Sequence, residues 1–242
     1  MNDIELIKKY VPLESQKEAF EKLEKGYPVQ YIIGNVEFYG NIINVSEKVL
    51  IPRFETEYLI EKTLKYFNKL NISKPNILEI GTGSGCISIA LKKALDAKIL
   101  AIDISNEALE LAKLNALNND VNITFLHKDI HEFETESKYD LIISNPPYVP
   151  FNSNVDQKTK YEPQNAIFAP EDGIHFYKII LERLHNNLNK DFLIAFEIGD
   201  QEGNLIKNIV KSFMPEAYVK IEKDYNDFER YVFITNKKEI FE

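Results

Sequence analysis

Beyond Pro75 the apolar pattern switches repeatedly between short β-branched runs and stretches at helical spacing, and few folds accommodate that alternation. Residues 76–80, 98–102, 122–126, 139–144, 192–198 and 231–235 read as strands. Residues 86–95, 107–118, 175–188 and 201–213 read as helices, and 150–172 as loop. A strand followed by a helix does not return as a hairpin. The helix carries the chain across the sheet, so the next strand runs parallel to the first. The expectation is an α/β fold built on a doubly wound, parallel sheet.

Upstream the texture differs. Ile4, Leu6, Ile7, Phe20 and Leu23 recur at helical spacing until Gly26 and Pro28, which predicts a short helical N-terminal segment over residues 1–27. Residues 28–51 hold β-rich pieces at 29–33, 36–39, 42–45 and 49–51, punctuated by Gly34 and Gly40, and predict a β-hairpin linker. Pro52 opens a helix over about 53–70, the start of a domain spanning 52–242.

The 242 residues are 44% hydrophobic, enough for a sizeable core, and 29 basic against 38 acidic side chains give a net charge of -9. A chain that grips nucleic acid through its phosphates needs the opposite balance, so a nucleic-acid substrate starts at a disadvantage that only a local basic patch offsets. One cysteine excludes an internal disulfide framework. Acids and lysines close to Met1 do not make a secretory signal, and no apolar run has the roughly 18 residues of a membrane helix. A soluble, cytoplasmic protein with no membrane partner is expected.

Glu79-Ile80-Gly81-Thr82-Gly83-Ser84-Gly85-Cys86 falls where a strand turns into a helix. Such glycines let a ligand approach the backbone, and the following helix offers unpaired N–H groups. A dinucleotide fingerprint, G-x-G-x-x-G/A, fails at Cys86. A G-x-G-x-G loop preceded by an acid fits the S-adenosylmethionine site of class I methyltransferases instead. Glu79, Gly81, Thr82, Gly83, Ser84 and Gly85 are therefore candidate cofactor residues, with Glu79 holding the amino-acid portion directly or through water. Asp103, ending the next strand, can accept both ribose hydroxyls. Its plainer reading is a helix cap, for which Ser105 is better placed. Asp129 and Ile130 follow the third strand, where this fold class flanks the adenine; ordinary loop or core positions would look the same.

Asn145-Pro146-Pro147-Tyr148 ends the strand 139–144. Neither proline donates an N–H, so the ladder stops and carbonyls stay free at the strand end where open α/β sheets bind ligands. A planar amide or aromatic amine has a delocalised, poorly nucleophilic nitrogen. The Asn145 side-chain oxygen and the Pro146 carbonyl can each accept one N–H of such an NH2, aiming its out-of-plane electron density at a methyl carbon. Tyr148 can stack on a planar group. Positive charge passes from sulfonium to nitrogen, and the alkylated amide is acidic enough to need no dedicated base. Asn145, Pro146 and Tyr148 are the candidate catalytic residues. Asn145 also borders the cofactor, and Asn145, Pro146, Pro147, Tyr148 and Glu197 are the candidate substrate contacts. The plainer reading is a proline-rich loop with Tyr148 as packing.

Further motifs accompany these: Gln30-Tyr31-Ile32-Ile33-Gly34, Glu37-Phe38, Arg53-Phe54-Glu55-Thr56-Glu57, Tyr161-Glu162-Pro163, Asp172-Gly173, Glu197-Ile198-Gly199, Gln201, Gly203, Asp224 and Arg230. Over about 28–230 they make the chain resemble the protein-(glutamine-N5) methyltransferases that modify peptide chain release factors. That resemblance implies a Rossmann-like class I fold with seven strands, the last antiparallel. It also implies S-adenosyl-L-methionine as cofactor and methylation of the side-chain amide nitrogen (N5) of the glutamine in the Gly-Gly-Gln motif of peptide chain release factors. It tells against the sister enzymes that methylate a glutamine on a ribosomal protein, which typically lack the Gln-Tyr-Ile-x-Gly and Glu-Thr-Glu patterns. Phe54 stands where the family has proline, Asp227 where it has glycine and Glu229 where it has aspartate. The segment before Gln30 is shorter than the family's helical docking domain.

Other candidates have bland readings. Glu197 is as well explained by a bond to its following loop as by substrate contact. Arg53, Glu55 and Glu57 can order the hairpin against the site, or simply form a charged helix start. Cys86 reads as packing. His127 and His131 lie in a loop without further ligands, and no metal is expected. The competing function is an N6-adenine or guanine-N2 nucleic-acid methyltransferase, because an exocyclic amine poses the same nucleophilicity problem. That enzyme would also need base extrusion and a backbone-gripping surface. A non-catalytic cofactor-binding scaffold is disfavoured by the full Asn-Pro-Pro-Tyr motif. A monomer acting on release factors is expected.

Overall fold

Capping chemistry starts the chain. In the computed structural model, which describes residues 2–242, Asn2 accepts the Glu5 N–H at 2.9 Å and the Glu5 carboxylate accepts the Asn2 N–H at 3.0 Å. This box opens α1 (Asp3–Tyr10); α2 (Gln16–Glu24) follows. Ile7 and Ala19 bury themselves against Val29 of α3 (Val29–Ile33). The strand expected over 29–33 is thus corrected to a helical turn. Pro28 presets its entry, and Gly34, at φ 85°, closes it, which together override three β-branched residues. The hairpin is real but begins later, as β1 (Asn35–Phe38) and β2 (Asn41–Asn44).

The next helix, α4 (Phe54–Phe67), buries Leu59, Ile60, Thr63 and Phe67. The alternating region then runs β3 (Asn76–Ile80), α5 (Cys86–Ala94), β4 (Lys98–Asp103), α6 (Asn106–Asn118), β5 (Thr124–His127) and β6 (Tyr139–Ser144). Inside the expected loop, β7 (Val149–Pro150) pairs with β8 (Phe168–Ala169). The chain continues as α7 (His175–Leu184), β9 (Leu188–Glu197), α8 (Gly203–Phe213), β10 (Tyr218–Lys223) and β11 (Glu229–Thr235).

The main sheet has 7 strands in the order β10-β11-β9-β6-β3-β4-β5. Strands β5, β4, β3, β6 and β9 are mutually parallel, and β11, last in sequence, is antiparallel to β9. The chain steps outward from β3 to β5 and then returns to place β6 on the other side of β3. That reversal opens a crevice at the carboxyl ends of β3 and β6. Alternation along the strands sends Ile77, Leu141 and Leu193 to one face, against Leu59, Ile60 and Ile89. Leu78, Ile142 and Ile194 pack on the other, against Tyr177, Ile206 and Val210. Strand β10 has no counterpart in the sequence reading. It is an edge strand whose lysines, Lys220 and Lys223, interrupt any apolar run. Among the described residues no helix is long and apolar enough to cross a membrane.

Candidate active site

The glycine loop is held from below. The N–H groups of Gly81 and Thr82 both donate to the Ile102 carbonyl, at 2.9 and 3.1 Å, so the loop is stapled to the end of β4. Glu79 is fully buried under it. Its Oε2 accepts from the Thr82 hydroxyl at 2.8 Å, from the Ser88 N–H at 3.1 Å and from the Ser88 hydroxyl, while Oε1 has no partner. Burial pushes this carboxyl up to about 7, against the hydrogen bonds from Ser88 and Thr82. Glu79 therefore organises the loop from behind. Asp103 takes the Gly83 N–H on Oδ2 at 2.8 Å and the Ser105 N–H on Oδ1 at 2.9 Å. Ser105, as expected, is the residue that caps α6, accepting from Ala108 N at 3.1 Å.

Above the loop lies a cavity of about 420 Å³, within the range of small-molecule sites. Gly81, Thr82, Gly83, Ser84, Asp103, Asp129, Ile130, Asn145, Pro146 and Pro147 all line it. Glu79, Gly85, Tyr148 and Glu197 are not among the residues that line it. Asp129 accepts the His131 N–H at 2.9 Å and faces the ring Nδ1 of the same residue at 2.6 Å. Among the described residues no group of three or more His, Cys, Asp or Glu side chains could hold a metal ion.

Asn145 closes β6 and faces the cavity. Its Nδ2 donates to the Thr56 hydroxyl at 3.1 Å, and that hydroxyl donates to Glu197 Oε2 at 2.6 Å. Among the described residues no donor reaches Asn145 Oδ1 or the Pro146 carbonyl. Tyr148 lies beside this chain, its hydroxyl 3.4 Å from Glu197 Oε1 and its ring centroid 6.0 Å from the Arg230 guanidinium carbon. Arg230 is itself fixed by Asp224 at 3.2 Å and the Ile198 carbonyl at 3.1 Å. Gly173, at φ 95°, passes so close that a Cβ there would strike the Tyr148 carbonyl and the Glu202 carboxylate. The downstream motifs thus converge behind Tyr148.

Two features escaped the sequence reading. Thr56 was visible only as part of a motif, with nothing to link it to Glu197 on another element. Arg53, expected to order the hairpin, instead pairs with Glu162 at 2.5 Å, while the other Glu162 oxygen accepts the Ile51 N–H at 3.1 Å. This clamp draws the Pro163, Asn165 and Ala166 wall of the cavity onto the 49–53 segment. The hairpin is ordered by Asn115 of α6, which accepts the Asn44 N–H at 2.8 Å and donates to the Ser84 carbonyl at 2.9 Å. Phe54 occupies the first position of α4, 62% exposed and edge-on to Tyr58 at 4.9 Å. Proline suits that position because its missing N–H would have no helical partner, so phenylalanine costs the helix little.

This strand order, with a glycine loop after β3, an acid ending β4 and Asn-Pro-Pro-Tyr at the switch point, defines a class I methyltransferase. Residues 55–166 match the family model of the methyltransferase small domain. Over 225 residues the chain is 39% identical to the release factor glutamine methyltransferase of Bacillus anthracis, covering 89% of this chain and 79% of that protein. It is 42% identical over 212 residues to the one from Streptococcus pneumoniae, covering 86% and 75%. The chain belongs to the release factor glutamine methyltransferase family. Solved structures agree on the fold: a methyltransferase from Pyrococcus furiosus superposes with a TM-score of 0.63 at 21% identity, covering 92% of this chain and 98% of that one. A T. thermophilus 16S rRNA N2 G1207 methyltransferase, solved with AdoMet and guanosine, gives 0.61 at 12% identity, covering 84% and 50%.

Proposed function

We propose that this protein transfers a methyl group from S-adenosyl-L-methionine to the side-chain amide nitrogen of the glutamine in the Gly-Gly-Gln motif of peptide chain release factors. The observation that carries the reading is Asn145: one N–H of its amide is turned to Thr56, which leaves Oδ1 and the Pro146 carbonyl as two unused acceptors beside one cavity. An amide NH2 needs two such acceptors. The family relationship supplies the release factor as the macromolecule that offers it.

The donor set fits the cofactor. Each Asp103 oxygen spends one lone pair on a backbone N–H and keeps another for a ribose hydroxyl. Backbone groups of Gly81, Thr82, Gly83 and Ser84 would hold the amino-acid end. Asp129 and Ile130 would meet the adenine at its amino group and its face, and Glu79 and Gly85 would support the loop. When bound, the cofactor supplies an electrophilic sulfonium methyl. The chain's own contribution is to fix the glutamine. Asn145 Oδ1 and the Pro146 carbonyl hold both N–H bonds, stop rotation of the amide and turn its out-of-plane density toward the methyl. The same two oxygens face the nitrogen as positive charge develops there. The N–H proton then leaves to solvent without a dedicated base. Tyr148, Pro147 and Glu197 shape and support the substrate side.

In this reading 52–242 is the catalytic domain, 28–51 the linker and 1–27 an N-terminal segment. A monomer suffices, since one chain holds every residue named, and release factors place the reaction in the cytoplasm. The test supplies labelled S-adenosylmethionine with a release factor, its Gln→Ala variant, DNA and ribosomal RNA. Label is expected only in the unaltered release factor. Label in nucleic acid and none in the release factor overturns the proposal in favour of an exocyclic-amine methyltransferase.

A further inference from the structure

We infer that Thr56 is a positioning residue that decides which end of the Asn145 amide faces the substrate, by committing its only hydroxyl proton to Glu197. This rests on the assignment of Asn145 as the acceptor of the substrate amide. The oxygen and nitrogen ends of an asparagine amide are almost the same size, so packing does not choose between them; hydrogen-bond partners do. A carboxylate is an acceptor only. Glu197 Oε2, 2.6 Å from Thr56 Oγ1, takes the threonine proton. The threonine oxygen then has only lone pairs to offer toward Asn145 and must meet Nδ2, at 3.1 Å. Oδ1 is left for the cavity. Were the polarity reversed, an NH2 would face the NH2 of the substrate, and one of the two acceptors would be lost. The other acceptor, a backbone carbonyl, has no such ambiguity.

The surroundings fix the far end of this chain. Thr56 and Glu197 are 2% and 1% exposed, so water does not stand in for either partner. The Thr56 N–H donates to the Arg53 carbonyl at 3.1 Å, which fixes the first turn of α4. Glu197 receives the Tyr148 hydroxyl on its other oxygen, and its carbonyl receives the Tyr177 hydroxyl at 2.8 Å. Burial raises the Glu197 carboxyl to about 7; the Thr56 hydrogen bond and then the charge of Arg230, from β11, oppose that rise, so the line takes this polarity at pH values above 7. Helix α4, strand β9 and the loop after β6 thus meet in one proton-ordered line ending at the reacting amide.

The test compares Thr56→Val, which keeps the shape and removes the proton, with Thr56→Ser, which keeps the proton. Each is assayed for kcat and KM on a Gly-Gly-Gln-containing release factor, for cofactor Kd by calorimetry and for Tm. Thr56→Val is expected to lose kcat on the order of 10- to 100-fold, with cofactor Kd within about threefold of the unaltered protein. Thr56→Ser is expected to recover most of that loss. Wild-type kcat in Thr56→Val, or a Thr56→Ser as slow as Thr56→Val, overturns the inference. If Thr56→Val does not fold, NMR of the unaltered protein asks the same question. The Asn145 side-chain amide, identified by its loss in Asn145→Asp, should show one proton protected from solvent exchange, and rapid exchange of both overturns it. An unaltered protein that binds cofactor but methylates no glutamine removes the assignment of Asn145 itself. An active one with an unaffected Thr56→Val removes only the role of Thr56.

Discussion

The two walls of the cavity are built in different ways. On the cofactor side, most groups are positioned within one continuous stretch of chain, β3 to the start of α6: Glu79 holds Thr82 and Ser88, Asp103 holds Gly83 and Ser105, and the Ile102 carbonyl holds Gly81 and Thr82. On the substrate side, Asn145 is oriented by Thr56, which is oriented by Glu197, three residues from three separate elements. A wall built this way forms with one strand–loop–helix–strand unit. A wall built across elements is correct only when the whole sheet is assembled. Damage to the first should therefore weaken binding with little effect on chemistry, and damage to the second should do the reverse.

The sharpest break is Asn145→Ala. Removing a preorganised group at the reacting atoms costs roughly 10²–10³ in turnover, while cofactor affinity by calorimetry should stay within a few-fold. Near-normal turnover would end the two-acceptor account of this wall.

A second distinction concerns pH. Burial pushes Glu197 up to about 7, opposed by the hydrogen bond from Thr56 and the charge of Arg230. Its neighbours from the packed elements are Glu55 and Thr56 of α4, Tyr148, Tyr177 of α7, Arg230 and Tyr231 of β11, and Cys86 of α5. Once protonated, Glu197 no longer requires the Thr56 proton, and the polarity of the line to Asn145 is lost. Turnover should fall by up to about tenfold per pH unit below 7, with the cofactor kept saturating; a flat profile from about pH 5.5 to 8 contradicts it. Stability runs the other way. Glu79, Glu197 and Glu202 are all raised from 4.5 to about 7 by burial, so the folded state binds protons more tightly than the unfolded chain. Their contribution is complete below about 4.5 and is lost as pH rises through 7, each of order 3 kcal/mol at most. Denaturant melts at pH 6 and pH 8 read the last part of this loss, and activity and stability should separate across that window.

On the cofactor side the expected loss is smaller. Asp103→Ala removes the charged acceptor that the proposed function assigns to two ribose hydroxyls, worth about 1.5–3 kcal/mol, or roughly 10- to 100-fold in cofactor Kd. Turnover at saturating cofactor should change much less. Unchanged affinity would remove Asp103 from the ribose, and a collapse of saturated turnover would erase the contrast between the walls.

The same contrast explains what the sequence disclosed. The glycine loop, Asp103 and Asn145 are legible because each function is encoded within a few neighbouring residues at a strand end. Thr56 with Glu197, and Arg53 with Glu162, are not, since no periodicity or spacing joins residues whose meeting depends on sheet order. Helix α3 was missed for a related reason: its β-branched composition signals a strand, and the decision lies with Pro28 and Gly34 at its ends. Strand β10 was missed because an edge strand carries lysines where a central one carries apolar side chains.

The smallest expected effect lies farthest from both walls. Asp227, where the family has glycine, sits at φ 67° in the turn joining β10 to β11. Aspartate tolerates that region better than most residues because its short side chain bonds locally, but it still bears a steric penalty that glycine escapes. Here it also pairs with Lys223 at 3.0 Å, an exposed contact that contributes little. Asp227→Gly therefore trades relief of backbone strain against the greater entropy that glycine loses on folding. The two nearly cancel, and a net gain below about 1 kcal/mol is expected in denaturant melts. Because Asp224 in the same turn holds Arg230 through a different set of bonds, turnover should not move. A change in kcat with unchanged stability would mean that this turn reaches the substrate wall through Arg230, and that the assembled wall extends further from Asn145 than its hydrogen bonds indicate.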